Sequence, residues 1–177
     1  VSTEHVQLVL SVSLLATAVA SLAYGQIADA FGRRPALVLG FGVAAIGSVM
    51  ATFGGSIESI IAGRALQAIG AGSAYVLVRV LVHDVYAGNR AIAILGYTSA
   101  AIAVAPIVGP LMGGLLVDSV GWRWIFASVG AMGILLMFAC LLLLPETRRP
   151  IDKSEVPIAS AGWFELLRRP DFLRYMF

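Results

Sequence analysis

The sequence predicts an all-α integral membrane bundle, and three features carry that prediction. Apolar residues make up 59% of the 177-residue chain, and its mean hydropathy is +0.92. Only 12% of the residues are charged, where soluble domains carry about a quarter. The apolar residues are gathered into five runs, each near the roughly 20 residues that cross a ~30 Å hydrocarbon core as a helix. That much apolar surface exceeds what one core of this size can hide, so most of it faces lipid. In lipid each segment must satisfy its own backbone hydrogen bonds, which makes the runs helices. The short alternating segments of a β-barrel do not occur in the sequence.

The runs fall at residues 6–24, 36–53, 57–82, 91–117 and 124–144. Basic residues collect in alternate connections, the pattern that sets topology. Arg33 and Arg34 lie in the first connection, and Arg79 and Arg90 flank the third. Arg148, Arg149, Lys153, Arg168, Arg169 and Arg174 follow the fifth run. The second connection, Gly54-Gly55-Ser56, holds no basic residue and the fourth holds only Arg123. The side with ten basic residues is expected to be cytoplasmic, with Glu4 and His5 outside. Residues 1–147 read as one transmembrane bundle. Residues 148–177 read as a cytoplasmic linker. In it, 159–169 groups Trp163, Phe164, Leu166 and Leu167 beside charge, as an interfacial amphipathic helix would. A further apolar run opens at Asp171.

Several function classes are disfavoured. No basic patch is interleaved with exposed aromatics, so nucleic acid is not an expected partner. The single cysteine, Cys140, excludes an internal disulfide and a cysteine-rich metal site. His5 and His83 sit at opposite membrane edges, so no metal is expected. No nucleophile–base pair or carboxylate pair lies within a run. An enzyme and a cofactor are therefore not expected.

Three stretches stand out. Residues 25–35 form a polar island, Gly-Gln-Ile-Ala-Asp-Ala-Phe-Gly-Arg-Arg-Pro. A tight turn is expected there, with Gly25 and Gly32 allowing the reversal. Asp29 would sit where a helix ends, with Arg33 and Arg34 near headgroups and helix carbonyl ends. The third run contains Arg64 and Gln67, followed by Gly70 and Gly72. Arg64 is about seven residues, or ~10 Å, from the outer end. A charge at that depth is costly, so it should face the bundle interior or water. Gln67 falls nearly one turn further on, on a neighbouring face. Gly70 and Gly72 suit helix packing. In the fourth run small residues recur every four positions at Ala93, Ala101, Ala105, Gly109 and Gly113, interrupted by Tyr97. This ridge should let another backbone pack closely. Pro106 and Pro110 each lack an N–H and should bend the helix.

The island pattern Gly25-x-x-x-Asp29-x-x-Gly32-Arg33-Arg34, set between two spanning runs, resembles the loop between the second and third helices of the major facilitator superfamily. The resemblance implies an ion-pair cluster that locks one conformation and breaks in another, with Arg79 and Asp84 as candidate partners. Arg64-x-x-Gln67-x-x-Gly70-x-Gly72 is similar to a signature of the superfamily's drug:proton antiporters, whose arginine is assigned to proton coupling. Gly96, Ala105, Pro106, Gly109, Pro110, Gly113 and Gly114 resemble the antiporter signature of its exporters. Ala105 stands where the family has glycine, which implies slightly looser packing. Pro145-Glu146-Thr147 resembles the turn that closes the superfamily's sixth helix. With Gly-Arg-Arg-Pro in the first connection, the nearest resemblance is to the Bcr/CflA group of multidrug effluxers.

The resemblance implies a secondary active transporter for proton-coupled efflux of drugs or other small amphipathic compounds. An importer or facilitator on the same fold, or a truncated non-transporting membrane fragment, are the alternatives. The five runs would be helices two to six of a twelve-helix protein built from inverted repeats. The first helix and the C-terminal half would then lie outside this sequence. The implied partners are the lipid bilayer, protons, a small-molecule substrate and that C-terminal half, in a bacterial inner membrane. Every acid here lies at a run end or in a connection, so a proton-carrying carboxylate is expected outside these residues.

Overall fold

The computed structural model describes residues 3–147, with side chains from Gln7 onward. Those residues form five helices: α1 (Thr3–Phe31), α2 (Arg33–Phe53), α3 (Ile57–Val85), α4 (Gly88–Val120) and α5 (Arg123–Leu143). All five contain stretches long and apolar enough to cross a membrane. The linker with its amphipathic segment at 159–169, and the run from Asp171, lie outside the described residues.

The helices overrun the apolar runs. At about 1.5 Å per residue, α4 with its 33 residues is roughly 50 Å long. Once helical hydrogen bonding is established, it continues past the hydrocarbon edge into the headgroup layer at no extra nucleation cost. α1 therefore continues through most of the polar island, and the turn shrinks to Gly32 alone. This corrects the turn role expected of Gly25, which lies inside α1. Residues 26–31 contain no proline to stop the helix. Pro35 sits third in α2, where a backbone N–H has no intrahelical acceptor to lose. At the opposite end, Ser56 caps α3 in a reciprocal capping box with Ser59. α4 runs unbroken through Pro106 and Pro110.

α2 is the organising helix. It packs along α3 and α5, and α1 packs along α3, while α4 touches α3 and α5 only sparsely. Most buried residues of α2 and α3 are small, among them Ala36, Ala44, Ala45, Ser48 and Ala51 of α2 and Gly63, Gly70 and Ser73 of α3, with Leu37, Leu77 and Val82 the larger apolar side chains buried beside them. Most of the other large apolar side chains point outward, with Leu14 72%, Ile107 74% and Leu142 80% exposed. That inversion is the arrangement expected of a lipid solvent. Lipid competes equally for leucine, so close backbone approach supplies the association. The α2–α3 crossing shows how close. A Cβ on Gly47 would lie 2.5 Å from the Gln67 nitrogen and 2.6 Å from the Gly63 carbonyl oxygen. A Cβ on Gly70 would collide with the Gly40 carbonyl. Gly72 faces α1, where its Cβ would meet Ala20 and the Thr17 carbonyl at 3.3 Å.

Candidate functional site

Two polar centres lie within this apolar bundle. The first is at the end that carries the α1–α2 turn and the third connection, here called the basic end. Gly32 has φ +104° and ψ 162°, a region open essentially to glycine. That conformation places Arg33 at the first position of α2. Its guanidinium then bridges three groups. Nη1 donates to Asp29 Oδ1 at 2.9 Å and to the Ala28 carbonyl at 2.9 Å, and Nε donates to Asp84 Oδ2 at 3.0 Å. The Ala28 carbonyl lies in the last turn of α1, where it also accepts the Gly32 N–H at 3.0 Å. The Asp84 pair joins α2 to the last turn of α3 with both side chains largely buried, 15% and 21% exposed. Asp29 is more open, at 56%.

Glu146 completes this centre from the far end of the chain. Its carboxylate accepts from the backbone N–H of Arg33 at 3.0 Å and of Arg34 at 3.3 Å. The first-turn amides of α2 have no helical acceptors, and the positive end of the helix dipole favours an anion there. The approach is tight enough that a Cβ on Gly32 would lie 2.5 Å from Glu146 Oε2. Gly32 is thus required twice, by its φ and by the carboxylate beside it. The Arg34 guanidinium turns to α5 and donates to the Leu141 carbonyl. One two-residue step therefore ties together the ends of α1, α2, α3 and α5.

The sequence reading named Asp29, Arg33, Arg34 and Asp84, and the structure brings these together. It leaves Arg79 out. The Arg79 guanidinium lies over the Tyr75 ring, 4.9 Å from its centroid, five residues and more than a helical turn before Asp84. Glu146 was read only as part of a helix-stopping turn. A carboxylate two residues past an apolar run is a weak signal, because its value comes from which helix start it meets.

The second centre lies in the half of the bundle away from the basic end. Arg64 Nη1 donates to Gln67 Oε1 at 2.6 Å, Gln67 Nε2 donates to the Ser48 hydroxyl at 2.8 Å, and Ser48 donates to the Ala44 carbonyl at 2.8 Å. Gln67 is 6% exposed and Ser48 1%. Phe126 of α5 lies 5.9 Å from the Arg64 guanidinium carbon, at the limit of a cation–π contact. The chain of bonds runs from a partly exposed guanidinium to the buried α2–α3 seam. Ser48 was not singled out from sequence, since a serine among alanines and glycines reads as another small packing residue.

The small-residue ridge of α4 lies open among the described residues. Cβ atoms on Gly96, Gly109, Gly113 and Gly114 would meet nothing within 4 Å. Ala105, Pro106 and Pro110 are exposed, and Ala91 is the only buried residue of α4 among those described. Close packing within residues 3–147 is carried by α2 and α3, and the ridge has no neighbour there.

The chain is similar in sequence to known membrane transport proteins. The family model described as Major Facilitator Superfamily matches residues 1–177. An MFS-type transporter of Mycobacterium tuberculosis, Rv1250, is 34% identical over 159 residues, 88% of this chain and 28% of its own length. The multidrug resistance protein MdtL of an Escherichia coli strain is 31% identical over 147 residues, 83% of this chain and 38% of its own. The MFS-type transporter ppz2 of Metarhizium majus is 30% identical, with 86% of this chain and 26% of its own length aligned. The chain thus spans between 26% and 38% of the length of these relatives.

Proposed function

This chain belongs to the major facilitator superfamily, and from that premise we propose that it supplies the N-terminal bundle of a proton-coupled exporter of drugs or similar small amphipathic compounds. It is a multi-pass membrane protein. The observation that carries the proposal is the Arg64–Gln67–Ser48 chain. A guanidinium held at 2.6 Å by Gln67, itself anchored at 2.8 Å to Ser48 in the helix seam of an apolar bundle, is expensive to keep there without use. A fixed positive charge in that position favours deprotonation of any nearby carboxylate and gives proton binding a means to alter helix packing. In this reading the proton-carrying carboxylate lies outside residues 1–177.

The basic end acts as a gate in this proposal. Asp29, Arg33, Asp84 and Glu146 hold four helix ends together in the conformation seen here. Rocking against a second bundle would separate them. The α4 motif residues Gly96, Ala105, Gly109, Gly113 and Gly114 suit contact with that second bundle. In this reading the basic end and residues 148–177 face the cytoplasm of a bacterial inner membrane, and the excess of basic residues on that side supports it. Similarity to MdtL supports efflux, and the narrower Bcr/CflA grouping belongs to the same proposal.

The test uses the protein expressed from its complete reading frame, in inside-out vesicles with ethidium as the transported dye. A proton gradient should drive dye uptake, and Arg64→Ala should abolish that uptake at unchanged membrane abundance. Unimpaired uptake by the variant would remove Arg64 from the mechanism. Dye movement that ignores the proton gradient would make the protein a facilitator.

A further inference from the structure

A groove of about 280 Å³ lies between α3 and α4, walled by Ala74, Tyr75, Arg79, Leu95, Ser99 and Ile102 among others. Arg79 pairs with no carboxylate among the described residues. Its guanidinium is stacked on the half-exposed Tyr75 ring at 4.9 Å, which fixes the plane and leaves the N–H edge available to an anion. The Thr98 hydroxyl on the facing helix is committed to the Ile94 carbonyl at 2.9 Å. The rest of the wall is mainly apolar.

The groove has a direction. Arg79 precedes the basic end of α3 at Val85 by six residues, or about 9 Å, while Ala71 lies about 21 Å in. On α4, Leu95 is about 10 Å and Ile102 about 21 Å from the start at Gly88. α3 spans roughly 44 Å and α4 roughly 50 Å against a hydrocarbon core of ~30 Å. Each helix therefore overhangs by several ångströms at either end. That sets Arg79 close to the headgroup boundary and the apolar wall toward the membrane midplane.

We infer that this groove binds an anionic phospholipid of the leaflet at the basic end, with its phosphate on Arg79 and one acyl chain along Ala74, Leu95 and Ile102. The order of charge and apolar surface is that of a lipid standing in its own leaflet. The volume lies just under the ~300–1,000 Å³ of pockets that enclose a whole drug-sized ligand, which fits one part of a longer molecule. Basic pockets between spanning helices on the cytoplasmic side suit anionic headgroups. The inference rests on the orientation proposed above.

The complete protein, reconstituted with equal phosphatidylglycerol and phosphatidylcholine, is released into native mass spectrometry and its lipid adducts are compared. Phosphatidylglycerol should be retained in preference. Arg79→Gln should cut that retention about fivefold, the factor one basic residue supplies near an anionic surface. Arg79→Lys should keep most of it, and Ile102→Trp, which fills the groove, should reduce it. Equal retention of the two lipids, or unchanged retention in Arg79→Gln and Ile102→Trp, overturns the inference. Full displacement by dodecanoate assigns the groove to a soluble amphipathic anion and also overturns it. Should Arg79→Gln fail to fold, the Ile102→Trp comparison decides, together with whether phosphatidylglycerol raises the wild-type melting temperature more than phosphatidylcholine does. Retention is read without transport, so its failure is separate from failure of the exporter proposal.

Discussion

Arg33 Nε lies 3.0 Å from Asp84 Oδ2, joining the first residue of α2 to the last turn of α3 across 51 positions of sequence. Both side chains are mostly buried, so the pair is screened less than a surface ion pair. A double-mutant cycle with Arg33→Ala and Asp84→Ala should return a coupling of about 1.5–3 kcal/mol, the range for hydrogen bonds to charged groups. Thermal melting of the complete protein in detergent measures it. A coupling indistinguishable from zero would mean the pair does not hold the helix ends together.

Gly32 and Glu146 should be coupled through space. Gly32→Ala forces alanine into a glycine-only backbone region, at about 1–3 kcal/mol, and drives its Cβ against the Glu146 carboxylate. Glu146→Ala removes the collision but leaves the backbone strain. The double variant should therefore melt higher than the sum of the single losses predicts, yet below Glu146→Ala alone. Strict additivity would show that the two residues do not meet.

Ser48→Ala should cost about 1–3 kcal/mol, because it strands the buried Gln67 amide without its acceptor. It should also weaken proton-driven dye uptake, by loosening the carbonyl oxygen that holds Arg64. Gln67→Leu should weaken uptake further, since it takes the acceptor from Arg64 as well as the donor from Ser48. Melting curves and vesicle uptake separate the two effects. Equal behaviour in both assays would detach Ser48 from the Arg64 chain.

Glycine substitutions should sort by helix. Gly47→Leu and Gly70→Leu push backbone atoms apart at the α2–α3 crossing and should abolish folded yield in detergent. Gly109→Leu and Gly113→Leu meet open space within residues 3–147, so each should leave the α2–α3 seam intact. If the ridge meets a second bundle, they should still abolish transport. Size-exclusion profiles and dye uptake give the two readouts. Full transport by the α4 variants would remove the ridge from the proposed interface.

Much of this arrangement was legible from residues alone. Hydropathy located all five spanning helices, because transfer to lipid is decided residue by residue. Asp29, Arg33 and Asp84 were legible as a group because charged residues at the ends of apolar helices have few places to go. The end of α1 was not, since Gln26 through Phe31 are as compatible with helix as with turn. Arg79 and Asp84 looked equivalent in sequence, both basic-end charges on α3. They are five residues apart, about 500° of helical rotation at 3.6 residues per turn. One therefore reaches Arg33 while the other lies over Tyr75.

The sequence by itself determined the membrane class, the number of spans, and the positions of Arg64, Gln67 and the small residues. These follow from local chemistry, which needs no partner. The tertiary structure decided that Glu146 caps α2, that Ser48 receives Gln67, and that α2 and α3, not α4, make the closest crossing here. Those outcomes depend on helix rotation and axial shift. A difference of one residue turns a side chain by about 100°, enough to exchange a buried partner for lipid.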